Sequence, residues 1–168
     1  MVDTPAEIVT ELGETLRQTP LSIALTGDAS RFDGPSRSFG YRWFADPDAR
    51  QRYAPEEHAF LSRLYASHLR ELVALRGPGT PAAHLADLTL ARSAELRLLW
   101  ETREVGVRPS EVKRFVHPAV GLLELNCQTL LDPDQSHRLL VYTAAPGSES
   151  YGKLELLAVL GQQTVGGS

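Results

Sequence analysis

The hydrophobic period of this chain changes once, near Pro109, and that change restricts the fold more than any other feature. Upstream of it, apolar residues return every three or four positions. They run Leu61, Leu64, Tyr65, Leu69, Leu72, Val73 and Leu75, then Leu85 and Leu88, then Leu96, Leu99 and Trp100. Such spacing predicts helices with one buried stripe each. Pro55-Glu56-Glu57 places acidic side chains where a helix dipole favours them, and Gly77-Pro78-Gly79 stops that helix. Thr80-Pro81 and Ser93 supply the caps of the next two. Downstream, "KRFVH", "GLLELNCQTLL" and "RLLVYTA" are short, rich in Leu, Val, Phe and Tyr, and separated by turn residues, which predicts strands.

Pro118-Ala119-Val120-Gly121 suits a tight hairpin turn between the first two of these strands. In the second, Leu123, Leu125, Cys127 and Thr129 share one face and Glu124, Asn126 and Gln128 the other. The last, Leu139 to Tyr142, is apolar on both faces and is expected to be central and covered on both sides. Ser148 then caps a final helix carrying Leu154, Leu157 and Leu160. At the other end, Thr4, Pro5 and Glu7 read as a capping box, followed by Ile8, Leu12 and Leu16 every four residues. That pattern predicts a helix to about Gln18, making residues 1–19 a connector. "LSIALT" alternates Leu21, Ile23 and Leu25 and predicts a half-buried strand. Helices in the middle and three antiparallel strands late give an α+β domain over residues 20–168, a sheet with a helical cover.

The 168 residues suit one domain, with 42% hydrophobic and 23% charged residues, an ordinary globular composition. A net charge of −4 provides no cationic field with which to grip nucleic acid. Cys127 stands alone, so no internal disulfide can form, and a reducing cytoplasm is the expected compartment. No apolar run approaches the ~20 residues that span a bilayer, so no membrane association is expected.

Few residues are arranged for chemistry. His58 and His68, ten apart on one helix, point roughly 80° away from each other, and neither His-Glu-x-x-His nor Cys-x-x-Cys occurs; no metal is expected. His117, before Pro118 at a strand end, reads as a hairpin anchor. Cys127 reads as a small buried apolar residue. Without a nucleophile elbow, a phosphate loop or a dinucleotide fingerprint, neither a cofactor nor an enzymatic activity is expected. The most unusual segment is "SFGYRWFADP", with Phe39, Tyr41, Trp43 and Phe44. These rings suit either core packing or the wall of an apolar pocket.

Taken in order, "YRWFADPDARQRY", "SAELRLLWETREV", "KRFVHPAVGLLELNCQTLL" and "RLLVYTAAPGSESYGKLELLA" resemble the ligand-binding domain of MmyB-like helix-turn-helix regulators, over about residues 20 to 161. His117-Pro118 with Val120-Gly121 and Val141-Tyr142-Thr143-Ala144 with Pro146-Gly147-Ser148 carry most of the likeness. The resemblance implies a PAS-like fold, an antiparallel sheet covered by several helices. It implies a hydrophobic cavity accepting fatty-acid-like or other apolar molecules, and a bacterial transcription regulator in which DNA is touched only by a helix-turn-helix domain absent from this chain. Two departures stand out: Ala54-Pro55-Glu56 follow Tyr53 where Asp-Trp-Glu is common, and Arg103 replaces a common His.

Apolar placement nominates Trp43, Phe44, Tyr65, Leu69, Leu96, Trp100, Leu125, Cys127 and Val141 as ligand-binding residues, between a sheet face and the helices over it. The expected function is effector sensing, in a homodimer. The rival expectation is a dimerisation or protein-interaction module with a solid core and no ligand.

Overall fold

A computed structural model describes residues 4–134 and 136–165. Its sheet has five strands, antiparallel throughout. They are β1 (Ala6–Thr10), β2 (Thr15–Gln18), β3 (Val112–His117), β4 (Gly121–Leu131) and β5 (His137–Thr143), in the order β2-β1-β5-β4-β3. Among the described residues the α-helices are α1 (Pro20–Thr26), α2 (Phe39–Ala45), α3 (His58–Arg76), α4 (Pro81–Arg92), α5 (Ala94–Thr102) and α6 (Glu149–Val165). The architecture is α+β, with the helical middle and late strands where the change of period places them.

Local signals account for most of these boundaries. Thr80 Oγ1 and Ser93 Oγ accept from the backbone N–H groups of Ala83 and Leu96, capping α4 and α5. Gly77, at φ +90°, ends α3, a conformation that side chains disfavour. The β3–β4 hairpin closes where His117 faces Gly121, itself at φ +77°. Ser148 Oγ accepts from the Tyr151 N–H at the start of α6.

Two expectations at the start of the chain are overturned. Residues 4–18 form no helix; they form β1, a turn through Gly13 and β2. The capping box never closes, because the Ala6 N–H donates to Thr19 Oγ1 at 3.0 Å and Thr19 Oγ1 donates to the Thr4 carbonyl at 2.9 Å. Instead β1 pairs along its length with β5, from Ala6 opposite Val141 to Thr10 opposite His137. A full ladder against a central strand outweighs a local helix signal built on β-branched Ile8, Val9 and Thr10. The chain's first segment thus completes the sheet. "LSIALT" in turn is helix α1, with Thr19 as its cap and Pro20 in its first turn. Leu21 and Leu25, four apart, are buried there, while Ile23 is exposed. Both patterns contain Leu21 and Leu25, so alternation and helical spacing could not be told apart over seven residues.

β5 is the central strand, as expected. Cys127 lies opposite Tyr142 and Thr129 opposite Leu140, so these residues share an inner face with Glu7 and Val9 of β1 and Phe115 of β3. Leu139 and Val141 alternate to the outer face, where they are only half-buried. The inner face meets the helices in one core. Leu123 and Leu125 are fully buried there, in one cluster with Leu21, Leu25, Leu154, Leu157, Trp43, Tyr53, Leu61 and Leu64. Each such leucine contributes about 1.5–3 kcal/mol by leaving water. Among the described residues no helix is long and apolar enough to cross a membrane.

Candidate functional site

The β1–β2 turn fixes where the aromatic segment goes. Gly13, at φ +80°, accepts from the Phe39 N–H through its carbonyl at 2.9 Å. Ser38 Oγ donates to the Leu12 carbonyl at 2.6 Å and accepts from the Tyr41 N–H, capping α2. Held this way, α2 turns Trp43 into the core, where Nε1 donates to Ser62 Oγ of α3 at 2.9 Å. Phe39 then stands edge-on to Tyr65 of α3, with centroids 5.4 Å apart. A continuous run of rings follows, through Tyr53 and Phe115 to Tyr142 on the sheet.

Beyond these rings the helices and the sheet do not close on each other. A cavity of about 1410 Å³ separates them, part of it open to solvent. Its floor is the inner face of the sheet, including Glu7, Val9, Cys127, Arg138, Leu140 and Tyr142. Its roof comes from α2 through Phe39, Tyr41, Arg42 and Phe44, and from α3 through Tyr65, His68, Leu69 and Leu72. The space exceeds the ~300–1,000 Å³ of most small-molecule sites.

The lining is more polar than apolar spacing suggested. Burial pushes the Glu7 carboxyl up, opposed chiefly by the charge of Lys113, and its oxygens lie at long hydrogen-bond range from Tyr142 and Thr15. Burial raises the phenols of Tyr65 and Tyr142, which stay protonated at neutral pH. Burial, with the charge of Arg138 second, lowers the His68 imidazole, whose Nε2 lies 3.2 Å from the Glu11 carbonyl. Arg42 spends its guanidinium on the carbonyls of Ser36 and Arg37 and stacks on Phe32, 4.0 Å from the ring centre. Among the described residues no group of His, Cys, Asp and Glu is placed to hold a metal ion.

Of the residues nominated from sequence, Phe44, Tyr65, Leu69 and Cys127 border this cavity. Trp43, Leu96 and Leu125 do not; they are buried to 1% or less in the surrounding core. Trp100 lies beneath the Arg70 guanidinium, 4.3 Å from it, away from the cavity. Val141 sits on the opposite face of the sheet, because Tyr142 and not Val141 pairs with Cys127. That register is invisible in a strand apolar on both faces. Sequence reasoning missed Glu7, hidden in the supposed helix, and Arg138, Leu140 and Tyr142. One signal was present: Arg138 is a charged residue within a strand otherwise read as central and covered. Ala54, Pro55, Glu56 and Arg103, where the chain departs from the family pattern, border none of the cavity.

A sheet and a helical cover held apart around a large, partly open cavity form the arrangement of a small-molecule-binding domain. The chain matches the family described as MmyB-like transcription regulator ligand binding domain over residues 1–157, and it belongs to that family. No curated protein matches it. The match includes β1 and β2, so the opening segment is part of the family's domain.

Proposed function

We propose that this chain is the effector-sensing domain of a bacterial helix-turn-helix transcription regulator, and that its effector is a small molecule with a substantial apolar, acyl-like body held between the inner sheet face and α2 and α3. The observation that carries the reading is the cavity itself, with Phe39, Phe44, Leu69, Leu72 and Leu140 on its walls. Strand order β2-β1-β5-β4-β3, with all of α1 to α5 inserted between β2 and β3, supports a PAS-like description. The role is binding and not catalysis, in the cytoplasm, and DNA is reached only through an attached helix-turn-helix domain.

Binding changes transcription only if the effector prefers one arrangement of the regulator over another. A homodimer provides two such arrangements. Its support is the outer sheet face, where Ile8, Leu139 and Leu130 form one cross-strand apolar row, with Ile8 and Leu130 exposed. Native mass spectrometry and solvent extraction of the purified protein, with a thermal-shift screen of acyl compounds, test the reading. Retained or stabilising acyl compounds are expected. A dimer that no apolar compound stabilises would leave only the interaction-module alternative.

A further inference from the structure

Three arginines converge along one stretch of the cavity's lining. Arg31 ends the 3-10 turn Ala29–Arg31, Arg42 belongs to α2, and Arg52 ends the 3-10 turn Pro47–Arg52. All three border the cavity, as does Phe32. The guanidiniums of Arg31 and Arg42 both lie over the Phe32 ring, 4.7 Å and 4.0 Å from its centre. The charge of Arg31 bears on Arg42 and on Arg52, disfavouring their charged forms. The cavity meets solvent along this stretch, where Arg31, Asp48 and Gln51 are exposed.

No ion pair answers the cluster. Among the described residues Arg37, Arg50, Arg63, Arg76 and Arg114 each have a carboxylate partner, and Arg31, Arg42 and Arg52 have none. Arg42 donates to the Ser36 and Arg37 carbonyls through Nη1 alone, and Arg52 donates to the Leu25 carbonyl through its own Nη1. Arg31 rests on Phe32. The carboxylates whose charge reaches the cluster are committed elsewhere. Asp28 Oδ1 accepts from the Ser30 N–H and hydroxyl, Asp46 Oδ1 from the Asp48 N–H, and Glu7 faces Tyr142 and Thr15.

Like charges held together beside an opening, with donors to spare, attract a multiply charged anion. Guanidinium forks match the oxygens of a phosphate, and a phosphate monoester brings nearly two negative charges where a carboxylate brings one. Phe39 and Phe44 line the same cavity, so an anion at the rim and an apolar group inside it fit one molecule. We infer that Arg31, Arg42 and Arg52 form a phosphate-binding rim, and that the effector is a phosphorylated molecule with its phosphate at this rim and its apolar part within. This rests on the cavity being a ligand site, as proposed above.

The test measures binding of octyl phosphate, octanoate, 1-octanol and inorganic phosphate to the full chain by calorimetry, at about pH 8, where the monoester carries both charges. Octyl phosphate should bind the wild type at least about tenfold more tightly than octanol, and more tightly than octanoate. Inorganic phosphate should bind at least about tenfold more weakly than its octyl ester. Arg31→Glu, at an exposed position, should weaken octyl phosphate by at least about tenfold and leave octanol unchanged. Arg52→Gln should act in the same direction, and added salt should narrow the gap between ester and alcohol. Equal binding of octyl phosphate and octanol, octanoate as tight as the phosphate, or an unaltered preference in Arg31→Glu would overturn the rim while leaving the apolar cavity standing. Inorganic phosphate as tight as its ester would reveal an anion site unconnected with the cavity and overturn the phosphorylated effector. If none of the three octyl compounds binds, the sensing function itself falls, and the rim's part in it falls too.

Discussion

Trp43 Nε1 donates to Ser62 Oγ over 2.9 Å, and both residues are buried, at 1% and 3% exposure. The bond ties α2 to α3, the two helices that roof the cavity. Ser62→Ala strands a buried indole N–H and is expected to cost about 1–3 kcal/mol in urea unfolding. In a Trp43→Phe background the donor is gone, so the same change should cost far less. Additive losses in the two backgrounds would show that the bond contributes nothing.

His117 should make stability depend on pH through its hydrogen bonds. Its Nδ1 accepts from the Ala119 N–H at 3.0 Å, so Nε2 carries the proton and donates to the Ala24 carbonyl at 2.8 Å. The histidine ties the β3–β4 hairpin to α1, as its place before Pro118 suggests. Burial holds its pKa below 6.5, against the Ala24 bond and aided by the charge of Arg52. For a base with a depressed pKa, the unfolded chain takes up the proton first as pH falls below 6.5. The stability it lends is therefore whole above that value and lost as pH drops toward the folded value. His117→Asn, whose amide oxygen can still accept from Ala119, should be less stable at about pH 8 by roughly 0.5–1.5 kcal/mol. Its further loss on acidification to about pH 5.5 should be smaller than that of wild type. His68, lowered in the same sense, is common to both proteins and cancels in the difference. Identical pH slopes would remove His117 as the titrating group.

Arg103 is the one non-glycine residue at positive φ among the described residues, at 55°, where it ends α5. Its side chain is exposed and away from the cavity. Arg103→Gly relieves a left-handed penalty of roughly 1–2 kcal/mol, offset in part by the greater freedom of an unfolded glycine. A net gain of about 0.5–1 kcal/mol is expected, read as a rise of a few degrees in the melting temperature. Arg103→Val, with a branched side chain at the same φ, should melt below wild type.

How far the residues disclosed all this differs along the chain. Caps at Thr80, Ser93 and Ser148, the stop at Gly77 and the β3–β4 turn act through neighbours within a few positions, so their chemistry is readable locally. β1 is held by β5, more than 120 residues away in sequence, and nothing near Ile8 or Val9 announces that partner. Register failed for a related reason. In β4, polar Glu124 and Asn126 mark the outer face, but in β5 Leu139 and Val141 resemble Leu140 and Tyr142, so the inner pair could not be chosen. Large apolar residues such as Trp43 and Leu96 suit both a wall and a core, and spacing alone does not separate the two. The cavity lining mixes phenols, imidazole, carboxyl and guanidinium with the apolar groups, and hydrophobic periodicity does not register such a surface.

Cys127 offers an internal report on the cavity, because it is the only cysteine of the chain and sits on the floor beside Tyr142. A thiol reagent that enters the cavity should label one site per chain, and decanoate should slow that labelling in proportion to its occupancy. Cys127, half-buried against the core, also borders the cavity, so Cys127→Trp can turn its ring toward that space and should fold with less than the usual overpacking cost of about 1–3 kcal/mol. The same ring takes up room the ligand needs, and decanoate affinity should fall at least about tenfold by calorimetry. Folding with undiminished affinity would place the ligand elsewhere. Labelling indifferent to saturating decanoate would do the same without any substitution, because the thiol would then share no space with the bound acid.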